Sequence, residues 1–370
     1  MKRILSLLLS LALLAGGLTG CSLFDRTNSY VTTHQEQSPA EEDPAILRAE
    51  NYADLVSCVQ HFVSMGQDTG TVHVYKYSGD IEADLNKAAS EIRTEDPLGA
   101  YALKDITYDY SRIVSYYECN FTFSYRRDAA DMAAIVSAYG TAAIRNLFQQ
   151  AMSNFEHTLT IRTSSFYSDR TTLYSLAQEA YYASPATALG YPEITISVYP
   201  DSGIIRILEI NFAYDYWDRD TLLQHEQAVN AAVVQMAGTD TAADATVAWL
   251  LYSRLMDNTH YNSNASSSVY DALCQGSSNS EGIALAYLLL CRQAGIDCQL
   301  VQGTLGDTPH WWNLITLEGT SWMVDITQGN TESDFLHNDD TLSAAGFHWS
   351  REDYPVCDGA ISSLPHTPEQ

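Results

Sequence analysis

The sequence predicts an α+β fold in which two tandem α-β-α-β-β modules precede a C-terminal domain of different pattern. Three observations carry this prediction. Helical and extended segments recur in the same order twice between residues 46 and 217. The extended segments alternate apolar and polar residues, as antiparallel strands solvated on one face do. From about Arg219 the pattern changes to two long helices, a polar turn, another helix and two strands.

In the first copy (46–126) a helix is expected near Ile46–Met65, followed by the strand-like GTVHVYKYSGD. Asp80 then caps IEADLNKAASEI, whose Ile81, Leu85, Ala88 and Ile92 share one helix face. The strands ITYDY and NFTFSY follow, with Phe121, Phe123 and Tyr125 on one side. The second copy (127–217) reads as a helix near Asp128–Phe155, the strand HTLTIRTSSFYSD, a helix capped by Asp169, and the strands ITISV and INFAYDYW. Asp80 and Asp169 lie 89 residues apart, and Ile106 and Ile194 lie 88 apart, which sets the repeat length. The tyrosine-rich strands fit a half-buried sheet, or else a surface on which sugars or peptides stack. Before residue 240 no set of side chains has the order of a catalytic constellation.

The C-terminal domain (218–370) carries three short motifs in order. They are Tyr270-Asp-Ala-Leu-Cys-Gln-Gly276 leading to Ser280-Glu281-Gly282 and a helix, His310-Trp311-Trp312-Asn313, and Trp322-Met-Val-Asp325-Ile-Thr327. A nucleophile at a helix N-terminus gains from the helix dipole and from free N–H groups that bind an oxyanion. A histidine on a following strand takes its proton, and an aspartate on the next orients the imidazole.

Residues from about 219 to 365 resemble a bacterial transglutaminase-like domain of the papain-related superfamily, on Tyr270, Ala272, Leu273, Gly276, Glu281, Gly282, Ala284, Ala294-Gly295-Ile296, His310, Trp312, Asn313, Trp322, Asp325 and Thr327. The resemblance implies a papain-like fold, acyl transfer or amide hydrolysis on peptides or proteins, and no cofactor. It also implies that Ser280, His310 and Asp325 occupy the catalytic positions, with Trp311, Trp312, Asn313 and Glu281 around the cleft. The sequence departs from the family at the nucleophile, where Ser280 stands for the usual cysteine, and at Ile283, where an aromatic residue is usual.

Three readings of Ser280 follow. The domain is a silent pseudoenzyme kept for binding, because a serine hydroxyl is far less acidic than a thiol with a free pKa of about 8.5. Alternatively Ser280, His310 and Asp325 work as a serine triad. In the third reading Cys274 is the nucleophile in a shifted register, or the missing cysteine is engineered. Locally, Ser280 suits an N-cap, and Ser278 with Glu281 suits a capping box. Gln275 is a candidate oxyanion donor. His337-Asn338-Asp339-Asp340 has no metal-ligand spacing and reads as a solvated turn, so no metal site is expected.

The N-terminus places the chain. Lys2 and Arg3 precede an apolar run from Ile4 to Gly17, too short to span a bilayer, which reads as an export signal over residues 1–20. Leu18-Thr19-Gly20-Cys21 resembles the bacterial lipobox, so Cys21 is expected to be lipidated and to anchor the chain at the outer face of the cell membrane. Residues 21–45 read as a flexible tether. The net charge is −27, and loss of residues 1–20 removes Lys2 and Arg3 and takes it to −29. Such a surface repels phosphate backbones, which excludes nucleic acid as a partner and leaves peptide, protein or cell-wall ligands. Six cysteines besides Cys21 permit disulfides after export, and their pairing is open.

Overall fold

A computed structural model describes residues 46–164, 169–214, 217–238, 245–327 and 334–359. The expected signal peptide, tether and Cys21 lie outside the described residues. The chain divides into two compact units, the first comprising residues to Ala89 with Ile106–Phe123, the second Ser90–Asp105 with Ser124 onward.

In the first unit a four-stranded sheet has the order β1-β2-β4-β3, from β1 (Ile46–Ala49), β2 (Thr69–Tyr75), β3 (Leu103–Ile113) and β4 (Tyr116–Tyr125). Ile46–Ala49 was expected to begin a helix and is a strand. Its backbone pairs in parallel with Thr71–Val74, and Asn51, whose side chain accepts the Asp54 N–H, delays the helix to α1 (Tyr52–Ser64). Leu55, Cys58, Val59 and Phe62 recur at helical spacing on the buried face of α1. Gly70 on β2 passes under the Phe62 ring, where a Cβ would collide with it. Asp80 accepts the Ala83 N–H at the head of α2 (Ile81–Thr94), as expected.

In the second unit α3 (Pro97–Ala102) is capped by Asp96. The expected long helix near Asp128–Phe155 is three elements: α4 (Ala129–Ala133), β5 (Val136–Ser137) and α5 (Thr141–Ser153). A reciprocal capping box between Asp128 and Asp131 starts the short helix. Gly140, at φ 93°, turns the chain in a way that side chains disfavour and sets up α5. With β6 (Thr158–Ser164), β7 (Glu193–Tyr199) and β8 (Ile205–Ala213), β5 builds a second sheet of order β5-β6-β8-β7. Asp169 caps α6 (Arg170–Ala183) through the Thr171 N–H.

The core of this sheet does not stop at residue 217. One hydrophobic cluster runs from Ile144, Phe148, Ile161 and Phe212 into α7 (Arg219–Ala237), α8 (Ala245–Asn258) and α9 (Ser280–Ala294). The turn Pro185–Thr187 packs on α7 and α9, and the Val269 N–H donates to Ala188 O at 3.0 Å. A third sheet, β13-β12-β11-β14, closes the C-terminal domain with β11 (Asp297–Leu305), β12 (Thr308–Leu317), β13 (Thr320–Val324) and β14 (Phe347–His348). Helix α9 lies against β11 and β12 and is buried over nearly its whole length. Among the described residues no helix is long and apolar enough to cross a membrane.

Candidate functional site

The turn before α9 is fixed by backbone and small polar side chains. Asp271–Gln275 forms one π-helical turn, an arrangement often found near functional sites. Gly276, at φ 77°, ends it in the left-handed region that favours glycine. Ser277 and Ser278 (β10) then pair in parallel with His260 and Tyr261 (β9). Ser278 Oγ donates to Ser266 O at 2.7 Å, and the Asn279 N–H also donates to Ser266 O, at 3.1 Å.

The cap of α9 is Asn279, not Ser280. Its Oδ1 accepts the N–H groups of Glu281 and Gly282 at 3.0 and 3.2 Å. The expected capping box of Ser278 with Glu281 is absent, because Ser278 is spent on Ser266 and Glu281 turns elsewhere. Gly282 is required, since a Cβ there would run into the Ser278 hydroxyl. Ser280 is therefore the first residue of the helix, with its hydroxyl not used as the cap.

Neighbouring strands bring up the other two residues. His310 on β12 pairs with Gly303 of β11, and β13, paired with Asn313–Leu317 of β12, ends just before Asp325. His310 Nε2 lies 3.4 Å from Asp325 Oδ2. Thr327 Oγ1 is 3.2 Å from the same nitrogen and 3.0 Å from each Asp325 oxygen, which fixes the carboxylate. The His310 ring is walled by Phe347, Trp312 and Tyr261 at 5.4, 6.2 and 6.2 Å between centroids. With Nε2 turned to Asp325, the imidazole presents Nδ1 on its other side. Ser280 Oγ accepts the Trp311 backbone N–H at 3.4 Å, so it lies against the residue next to His310. Among the described hydrogen bonds, none joins Ser280 to the His310 ring. Ser280, His310 and Asp325 are 4, 1 and 3% exposed.

The remaining expected site residues divide. Trp312 is buried and stacks edgewise on Phe347 and Trp349, so it is core and cleft wall. Asn313 donates to Ala284 O at 3.0 Å and ties β12 to α9. Gln275 is not brought to the site, because its amide donates to the Tyr270 hydroxyl at 2.9 Å on the exposed side of the π turn. Cys274 is exposed on that turn, and burial together with Asp271 pushes its thiol up, the reverse of an activated thiolate. All six described cysteines are free thiols. The expected solvated turn at His337–Asp340 is partly buried: Asn338 caps α10 (Asp339–Ala344), and Asp339 accepts the Cys357 N–H at 3.3 Å. Among the described residues no cluster of His, Cys, Asp and Glu has the makings of a metal site.

One participant lay outside the motifs. Tyr182 on α6, in the second sheet's half of the unit, donates its hydroxyl to Glu281 Oε1 at 3.1 Å. Burial pushes the Glu281 carboxyl up to about 7, and the Tyr182 hydrogen bond works against that rise. The buried Trp311 indole N–H is aimed at the same hydroxyl, outside strict hydrogen-bond geometry. Ser280 is thus followed by a carboxyl held by burial well above the ordinary carboxylate range. A single sequence offers no signal for a contact 99 residues apart beyond Glu281 itself.

Residues 227–324 match the model of the Transglutaminase-like superfamily, so the chain carries a transglutaminase-like domain. No curated protein matches the chain. Among solved structures, a candidate cysteine protease from Cytophaga hutchinsonii is 12% identical over 39% of this chain and 65% of its own, with a TM-score of 0.25. A TGase is 8% identical over 64% of this chain and 66% of its own, with a TM-score of 0.27. In both cases the match spans just under two thirds of the other chain's length.

Proposed function

We propose that the chain is a cell-envelope lipoprotein, exported and held by lipid on Cys21. In this reading its transglutaminase-like domain is a pseudoenzyme that binds peptide, protein or wall material. Two tandem modules carry the domain, as the shared strand order of the first two sheets supports. The observation that carries silence is the side chain at the nucleophile position. Ser280 Oγ accepts the Trp311 N–H and makes no described hydrogen bond to His310. A hydroxyl in that place has no preformed ion pair with imidazole, which a thiol of ordinary pKa about 8.5 readily gives. The binding cleft lies at Ser280 and His310, with Trp311 and Trp312 as walls.

A second reading rests on the His310–Asp325 pair at 3.4 Å, which a binding domain has no chemical need to keep. There Ser280, His310 and Asp325 form a working triad for acyl transfer or amide hydrolysis. Ammonia release from a glutamine-rich protein substrate separates the two. The wild type is expected to release none. Release by the wild type that is lost in both Ser280→Ala and His310→Ala would overturn silence. Ser280→Cys, made with Cys274→Ala so that no other described thiol is exposed, reads the remaining machinery through its alkylation rate against pH. An apparent pKa well below about 8.5 that depends on His310 is expected, since only the nucleophile is altered.

A further inference from the structure

Two residues that adjoin the site meet a third that lies outside residues 227–324. Glu281 follows Ser280 on α9, and Trp311 follows His310 on β12. Both side chains reach Tyr182, near the end of α6. The Tyr182 hydroxyl donates to Glu281 Oε1 at 3.1 Å, and the buried Trp311 indole N–H approaches the oxygen of the same hydroxyl. One phenol thus bridges the two elements that carry Ser280 and His310. The bridge runs beside a direct link, in which Ser280 Oγ accepts the Trp311 backbone N–H at 3.4 Å.

Tyr182 is itself held from both directions along the chain. Before it, Leu176, Ala177, Ala180 and Tyr181 bury α6 in the shared core, and the Tyr181 hydroxyl accepts the Gly190 N–H at 3.2 Å. After it, the turn Pro185–Thr187 packs on α7 and α9, and Ala188 O accepts the Val269 N–H. A phenol anchored in this way can set the position of what it bonds. Packing alone gives no reason for a carboxyl at 281, since burial pushes that group up to about 7 and its desolvation is a cost. A hydrogen bond supplies the direction that an apolar contact lacks.

We propose that Tyr182 is a positioning residue of this site: it holds the first turn of α9 against β12 at Ser280 and His310, so the site is incomplete without helix α6. The role rests on the reading that the cleft lies at Ser280 and His310. It asks no chemistry of Ser280.

The test uses the full chain and two substitutions on α6. Tyr182→Phe keeps the ring and removes the bridge. Tyr174→Phe removes a hydroxyl of the same helix that donates to Ile194 O at 3.3 Å and makes no described bond to the site. Amide hydrogen exchange at Trp311 reads the direct link with Ser280 in place. It should quicken about tenfold in Tyr182→Phe and stay as in the wild type in Tyr174→Phe. The second readout is the alkylation profile of Ser280→Cys with Cys274→Ala. Adding Tyr182→Phe should move its midpoint up by about one pH unit, because the thiolate is less well held beside His310. Loss of the hydroxyl also keeps Glu281 protonated to higher pH, which alone would move the midpoint down, so the sign separates position from charge. Unchanged Trp311 exchange in Tyr182→Phe, equal quickening in Tyr174→Phe, or a midpoint that falls or stays would each overturn the role. If Ser280→Cys instead titrates as an ordinary thiol whatever stands at 182, the reading of intact machinery fails, and Trp311 exchange alone decides the role of Tyr182.

Discussion

The first two sheets share a strand order and differ in what they pack against. In the first unit, α1 and the start of α2 close a core around Leu55, Phe62, Val72 and Phe121. The second sheet has Phe148, Ile161 and Phe212 at the start of a core that continues to Tyr287 and Ile315 in the transglutaminase-like domain. The same arrangement of strands is, in the second unit, part of the site's scaffold. The Tyr182–Glu281 hydrogen bond is the polar expression of that continuity. Sheet order describes topology, and the side chains on the helix faces decide what a sheet supports.

The largest way to break the comparison is to empty each core. Phe148→Ala and Phe121→Ala should each cost about 3–5 kcal/mol, because both rings are buried. Their spectroscopic signatures should differ. The six tryptophans, Trp217, Trp249, Trp311, Trp312, Trp322 and Trp349, all belong to the second unit. Thermal melting followed by tryptophan fluorescence should therefore shift to lower temperature in Phe148→Ala and stay in place in Phe121→Ala. Equal shifts would show that the two cores melt together.

A smaller effect comes from Glu281. Its folded carboxyl is raised to about 7 from an ordinary 4.5. Between those values the unfolded chain has lost the proton and the folded chain keeps it, so this group lowers stability as pH rises from about 4.5 to 7, with no further loss above. Glu281→Gln should remove that slope and gain on the order of a few kcal/mol at pH 8 over the wild type. Denaturant midpoints at pH 5 and pH 8 measure it. An unchanged difference between the two pH values would place the titration elsewhere.

The smallest effect sharpens the link between the second sheet's helix α6 and the transglutaminase-like domain. Tyr182→Phe removes one hydrogen bond, worth about 1 kcal/mol, and should raise the Glu281 pKa further because the hydroxyl supports the ionised form. Carbon-detected NMR titration of the Glu281 carboxyl reads the direction. A fall in that pKa would contradict the geometry.

Much of this was legible in the sequence wherever the signal is local. Ile81, Leu85, Ala88 and Ile92 share a helix face and are all buried. Asp80 and Asp169 cap as their position implies. The helix, the strand with His310 and the strand leading to Asp325 follow in the expected order. What was missed depends on distant partners. Ile46–Ala49 is apolar enough for a helix, and only pairing with Thr71–Val74 makes it a strand. Two-residue Val136–Ser137 has no periodicity to read. Asn279 outcompeted Ser280 as cap because Ser266 holds its backbone in the required extended form. Gln275 was drawn to Tyr270, a partner five residues away that no motif specified.

The capping of α9 by Asn279 also bears on how this site changes over time. The helix does not depend on the side chain at 280 for its start, and the turn before it is held by Ser266, Ser278 and Gly282. A substitution between serine and cysteine there leaves the cap and the turn in place, so its effect is expected at the Trp311 N–H and the His310 ring. An exchange of the side chain at 280, in either direction, is therefore open to this scaffold without rebuilding the protein around it.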